Sequence, residues 1–209
     1  MGWHSEEEIS SNTHHDSYLS QVISGLRDKR LLWLSVVILA MALAEGAAND
    51  WVPLLMTDEY HFSHSSGILV YVGFTAGMTL GRFIGGSFVR RFGRALMLRL
   101  SALSAITGLL LVVFSSSQWL AAVAVLFWGL GASLGFPLTL SAVGEGSNSH
   151  IRVTIAATVG YIAFLAGPPL LGMIGQHAGL KMAMLPVLLM VTLAFFCTSA
   201  ASHPPKQSP

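Results

Sequence analysis

From about residue 31 onward, long apolar runs alternate with short polar breaks. The runs fall at roughly residues 31–56, 67–89, 95–115, 118–143, 151–175 and 180–200. At ~1.5 Å per residue, even the shortest would cross a hydrocarbon layer about 30 Å thick as a helix. Backbone N–H and C=O groups find no water in lipid, so each run is predicted to be helical and to satisfy them internally. The strict apolar–polar alternation of a membrane barrel is absent. The expectation is an all-α, polytopic bundle of six transmembrane helices, with the membrane domain at 31–200 and the lipid bilayer as its solvent.

Composition agrees. Of 209 residues, 53% are hydrophobic and only 10% charged, against about 25% charged in soluble domains. Residues 1–30 read as a polar tail with no signal peptide, holding a short amphipathic piece at "YLSQVISGL", and 201–209 as a second short tail. The pair His14–His15 lacks further ligands at metal-site spacing, so a solvated tail is expected and no metal. The single Cys197 forms no internal disulfide. No Gly-Lys-Ser/Thr loop is present, which argues against direct ATP drive. No cofactor and no nucleic-acid partner are expected.

Charge placement sets an orientation. Arg27, Lys29, Arg30, Arg90, Arg91, Arg94, Arg99, Arg152 and Lys206 all belong to one side, and the opposite loops offer only Lys181. An excess of Lys and Arg marks the cytoplasmic side. Both termini are expected there, in the inner cell membrane.

The segment "MALAEGAANDWVPLL", residues 41–55, carries Glu45 and Asp50 within the first run. A charged group such as Asp at the bilayer centre costs about 2.5–3.5 kcal/mol on insertion scales. Glu45 and Asn49 are four residues apart and share a helix side. Two readings stand: Glu45 and Asn49 face a wet cavity and bind a polar solute, with Glu45 also taking up a proton, or Glu45 fixes helix packing. Asp50 and Trp51 would shape the outer mouth. Tyr161 and Trp128 are further candidates for a cavity wall, or are lipid-facing or packed aromatics, the commoner case. Arg82 either snorkels to the cytoplasmic interface, the main reading, or pairs with an acid or solute. Glu145 reads as a loop charge.

Pro53 in "NDWVPLL" and Pro137 in "LGFPLTL" lie past the middle of the first and fourth runs. Proline removes a donor, so a break or kink is expected at both. Matching breaks suggest two sets of three helices, an inverted repeat of the kind transporters build their pathway from. Gly73, Gly77, Gly81 and Gly85 keep one face of the second run bare for close helix packing.

Between the second and third runs, "GGSFVRRFGRALML" resembles the loop signature of the major facilitator superfamily. Gly86, Arg91, Gly93, Arg94 and Leu98 fall on matching positions, while Arg90 replaces the usual acid and Ala95 the second basic residue. "EGAANDW", "GMTLGRFIGG", "FWGLGASLGFPLTLSAVGEG" and "VGYIAFLAGPPLLGMIGQHAGL" resemble the second six-helix half of fucose-permease-like members. The resemblance implies half of a secondary transporter for a small solute, with the polar tail as a remnant of the linker joining two halves. A complementary six-helix half, or a second copy, would then be the partner. The rival readings are a non-transporting fragment or structural subunit. More remote is an intramembrane serine protease, suggested by Gly131-Ala132-Ser133-Leu134-Gly135, though no histidine base lies within any run.

Overall fold

The computed structural model describes residues 23–25, 27–145 and 148–202. His14, His15 and Lys206 lie outside them. Among the described residues, six helices are long and apolar enough to cross a membrane: α1 Lys29–Asp58, α2 His64–Phe92, α3 Arg94–Phe114, α4 Gln118–Val143, α5 Ser149–Ala178 and α6 Leu180–Cys197, with a 3₁₀ turn at Thr198–Ser202. Several helices outrun the apolar runs because polar caps extend them. Asp28 starts α1 by accepting from the amides of Arg30 (2.8 Å) and Leu31 (3.4 Å). Ser63 caps α2 through Ser66 N, and Ser117 caps α4 through Leu120 N. Each side-chain oxygen satisfies a donor that the first turn leaves without a partner.

The chain folds as two sets of three. α1 and α4 touch each other at the centre. α1 packs on α5 and α6, and α4 packs on α2 and α3, so exchanging the first three helices with the last three reproduces the contacts. Because α1 and α4 run in opposite directions, the repeat is inverted. A local feature repeats as well. A single glycine joins α2 to α3 and α5 to α6, Gly93 with φ 83° and ψ 158° and Gly179 with φ 89° and ψ 155°. That backbone region favours glycine at both corners.

Burial follows the topology. The apolar windows of α1 and α4 are 67% and 56% buried, those of α2 and α5 only 28% and 22%. α2 and α5 make no substantial contact with each other, whereas α3 and α6 do. Trp128 and Phe74, both fully buried, meet edge to face at 5.8 Å in the main core. The bare stripe of α2 lies against α4. A Cβ on Gly77 would stand 2.9 Å from the Leu126 carbonyl, and one on Gly85 would stand 2.6 Å from the Leu134 side chain. Gly73 meets Leu126 and Gly81 meets Ser133.

One end of the bundle is tied by Tyr60. Its hydroxyl donates to the carbonyls of Val112 and Ser115, and Lys181 sits 4.1 Å above its ring. Beside it, Glu59 accepts from the amide of Leu180 at 2.9 Å and caps α6.

Candidate functional site

Glu45 and Asn49 both reach from α1 to α2. Glu45 Oε1 lies 3.4 Å from Nη2 of Arg82. Asn49 Oδ1 accepts from the Tyr71 hydroxyl at 3.2 Å. The Glu45 side chain is 15% exposed and that of Arg82 is 49% exposed, so the acid is sheltered and the base faces outward from the protein.

The pairing corrects the main expectation for Arg82. Rather than reaching for the cytoplasmic interface, the half-exposed side chain lies against α1 and α4, and its Nε donates to the Ser133 carbonyl at 3.3 Å. Helical geometry explains why that oxygen is available. An α-helical carbonyl accepts from the amide four residues on, and for Ser133 that residue is Pro137, which has no N–H. The proline therefore leaves one carbonyl of α4 free, and a guanidinium from α2 fills the vacancy. Neither α1 nor α4 is interrupted, since both run helically through Pro53 and Pro137. A break at either proline is therefore corrected: each stands within an unbroken helix and leaves the carbonyl four residues before it without its helical amide. Gly81 completes the fit: without a side chain there, Ser133 comes close enough for its carbonyl to meet the next residue of α2.

The other candidates separate. Asp50 is exposed, and among the described residues it forms no ion pair. Trp51 packs over Gly172 of α5, where a Cβ would sit 2.8 Å from the indole. Tyr161 is 69% exposed on α5 and makes no hydrogen bond among the described residues. Trp128 is wholly buried in the core. Ser133, buried, donates its hydroxyl to the Leu130 carbonyl at 2.6 Å in mid-helix. His61, His64, His150 and His177 lie in a loop or near helix ends, so none of them is placed to act as its base.

At the end bearing Gly93, the loop signature is part of a charge network. Arg94 meets Glu145 at 2.5 Å, Arg30 approaches the same carboxylate at 3.8 Å, and Arg152 pairs with Asp28. Glu145 is therefore no plain loop charge. Arg94's hydrogen bond holds its carboxyl below the usual range, with the charges of Arg94 and Arg30 adding to the effect and partial burial opposing. Burial also raises the Asp28 carboxyl, but Arg152 and the amides of Arg30 and Leu31 outweigh it and bring it below its ordinary value. Arg90 donates to Ser87 at 3.1 Å, Arg91 lies over the Phe92 ring, and Gly86 is exposed. No group of three His, Cys, Asp or Glu fit to hold a metal occurs among the described residues.

The family model of the Major Facilitator Superfamily matches residues 4–157. The chain belongs to the major facilitator superfamily. An uncharacterised MFS-type transporter of Yersinia pestis is 30% identical over 167 residues, which cover 78% of this chain and 44% of that protein. The membrane protein MosC of Rhizobium meliloti is 27% identical over 200 residues, 94% of this chain and 47% of that one. Among solved structures, the E. coli fucose:proton symporter FucP superposes with a TM-score of 0.79 at 18% identity, covering 90% of this chain and 46% of FucP. The POT family transporter PepTSo gives 0.69 at 17% identity. The chain spans less than half the length of the curated relatives it matches. It is thus an integral membrane protein with the fold of half a major facilitator.

Proposed function

We propose that this chain forms one wall of a secondary transporter that moves a small solute, with α1, α2, α4 and α5 lining the pathway. The observation that carries the reading is the Glu45–Arg82 pair. Two ionisable groups are kept inside helices that are otherwise fit for lipid, and such groups normally face a bundle interior or a wet cavity. α2 and α5, the least buried helices, stand apart on either side of the central pair. A complementary six-helix half, or a second copy in the same orientation, would close that side. Glu45 and Asn49 would line the path, Asp50 and Tyr161 its rims, and Glu45 would take up a proton during the cycle. The structurally similar FucP is a fucose:proton symporter, which is consistent with proton coupling and assigns no substrate here.

The Arg-rich end that holds Arg30, Arg94 and Arg152 would face the cytoplasm, in the inner membrane. Residues 31–200 form the membrane domain, with 1–30 and 201–209 as cytoplasmic tails. The test is uptake into proteoliposomes of a solute panel spanning sugars, amines and carboxylates, with and without a co-expressed complementary half. Transport that appears with the partner, and loses its pH dependence in Glu45→Gln, supports the reading. A chain that remains inert with every partner and solute is a structural subunit or a fragment.

A further inference from the structure

We infer that the solute is a small oxyanion, a carboxylate or a phosphate, that binds Arg82 in exchange for Glu45 when Glu45 takes up a proton. This inference rests on the transport reading above and names its substrate class.

The geometry begins with a loose ion pair. Arg82 Nη2 to Glu45 Oε1 is 3.4 Å, whereas charge-assisted N–H···O bonds settle at about 2.7–2.9 Å. Within the same protein, Arg94 and Glu145 close to 2.5 Å. Nη2 also faces Met78 Sδ at 3.5 Å, and Nε is held by the Ser133 carbonyl. Nη1 has no protein partner among the described residues, and the side chain is 49% exposed. The guanidinium is thus fixed at one edge by a neutral acceptor, shares its charge with one distant carboxylate, and turns an open edge outward. A planar fork of this kind suits a two-oxygen anion.

Charge balance then favours an anion over a neutral solute. Among the described residues, Arg82 is the one charged group within ion-pair distance of Glu45. On α1 itself Asp50 is exposed. The helix α4 offers no ionisable side chain. On α5 the candidates are His150 and Arg152 at one end, His177 at the other and the exposed Tyr161, and on α6 Lys181 near its start and the buried Cys197 at its end. A proton on Glu45 therefore leaves Arg82 without its counter-charge. An arginine that has lost its carboxylate gains a charge-assisted, two-point contact from an incoming oxyanion. Proton and anion binding each favour the other, as linkage requires. With a monoanion the doubly loaded site carries the same net charge as the empty one, whereas a sugar would leave the arginine unpaired.

The test uses Thr79→Cys in a Cys197→Ala background. Thr79 is exposed on α2, one turn before Arg82. In phosphatidylcholine vesicles, labelling by neutral, water-soluble 2-hydroxyethyl methanethiosulfonate is timed with lactate, succinate, benzoate or phosphate, and with glucose or fucose as controls. At least one oxyanion is expected to slow labelling saturably by about fivefold or more, and the sugars are not. The slowing is expected to be stronger at about pH 5 than at about pH 8, a range in which the carboxylate probes stay mostly anionic. It disappears in Arg82→Gln, and in Glu45→Gln it persists without its pH dependence. Should Arg82→Gln fail to fold, Arg82→Lys carries the test by weakening the slowing, since it keeps the charge and loses the fork. A reactive cysteine that no oxyanion protects, that sugars protect equally, or that stays protected in Arg82→Gln overturns the inference and leaves the transport wall standing. Protection that needs phosphatidylglycerol and no soluble anion also overturns it, in favour of a lipid headgroup. An unreactive cysteine overturns the wall itself.

Discussion

Arg82 Nε donates to the Ser133 carbonyl at 3.3 Å, in the place where Pro137 offers the helix no amide. One residue's missing hydrogen thus positions another helix's charge. Pro137→Ala supplies an amide that competes for that oxygen. The expected outcome is a thermal unfolding midpoint that holds or rises, with weaker solute binding or uptake. Unchanged binding would show that the carbonyl does not position the guanidinium.

The ion pairs at the Gly93 end predict a pH dependence of stability. The carboxyls of Glu145 and Asp28 are both held below their ordinary values, by Arg94 and Arg30 for the first and, against burial, by Arg152 and two amides for the second. A carboxylate depressed in the folded state stabilises above its unfolded pKa, and that contribution is lost as pH falls through the folded value. Stability should be flat through neutral pH and decline in acid, below about pH 4. Glu145 is 42% exposed, so Glu145→Gln should cost only about 0.5–1 kcal/mol at neutral pH after solvent screening. Unfolding midpoints of the purified protein across pH check both statements.

At the opposite end, Tyr60→Phe keeps the ring beneath Lys181 but removes the hydroxyl that serves Val112 and Ser115. Losing a buried hydrogen bond of this kind should cost about 1–2 kcal/mol. Lys181→Ala should cost less, because it removes a cation–π contact worth about 0.5–1 kcal/mol and a long, 3.4 Å hydrogen bond to the Ser115 carbonyl. Denaturation in mixed detergent micelles would rank the two variants.

Glycine positions separate by what a methyl group would meet. At Gly129 a Cβ would run into the Phe74 backbone, which cannot rotate away. Gly129→Ala should destabilise by about 1–3 kcal/mol. At Gly86 the nearest atom is the Arg90 guanidinium, 3.9 Å away. Gly86→Ala should be neutral or should stabilise by up to about 1 kcal/mol through helix propensity. Equal effects at the two positions would contradict the packing described.

Much of the fold was legible because lipid leaves the chain few options. Six runs of sufficient length had to be helices, and the paired prolines already suggested two sets of three. Gly93 stands out in the loop signature and Gly179 does not, but neither glycine carries a conformational label until its positive φ is seen. The site was legible only in part. Glu45 and Asn49 stood out by spacing along one helix. Arg82 lies 37 positions further on, and its partner at Ser133 is a backbone oxygen that only the bond geometry around Pro137 exposes. Glu145 was passed over for the same reason: its partners, Arg94 and Arg30, come from two other helices.

The central claim is that the faces of α1 and α2 bearing Glu45 and Arg82 border water and not lipid. The most direct measurement is the labelling of Asn49→Cys and Thr79→Cys, each in the Cys197→Ala background, by a membrane-impermeant thiol reagent in vesicles. Rapid modification of both positions, with unmutated Cys197, which is buried, staying unreactive, is the expected result. Positions 49 and 79 as inert as Cys197, with and without a complementary half, would contradict the account.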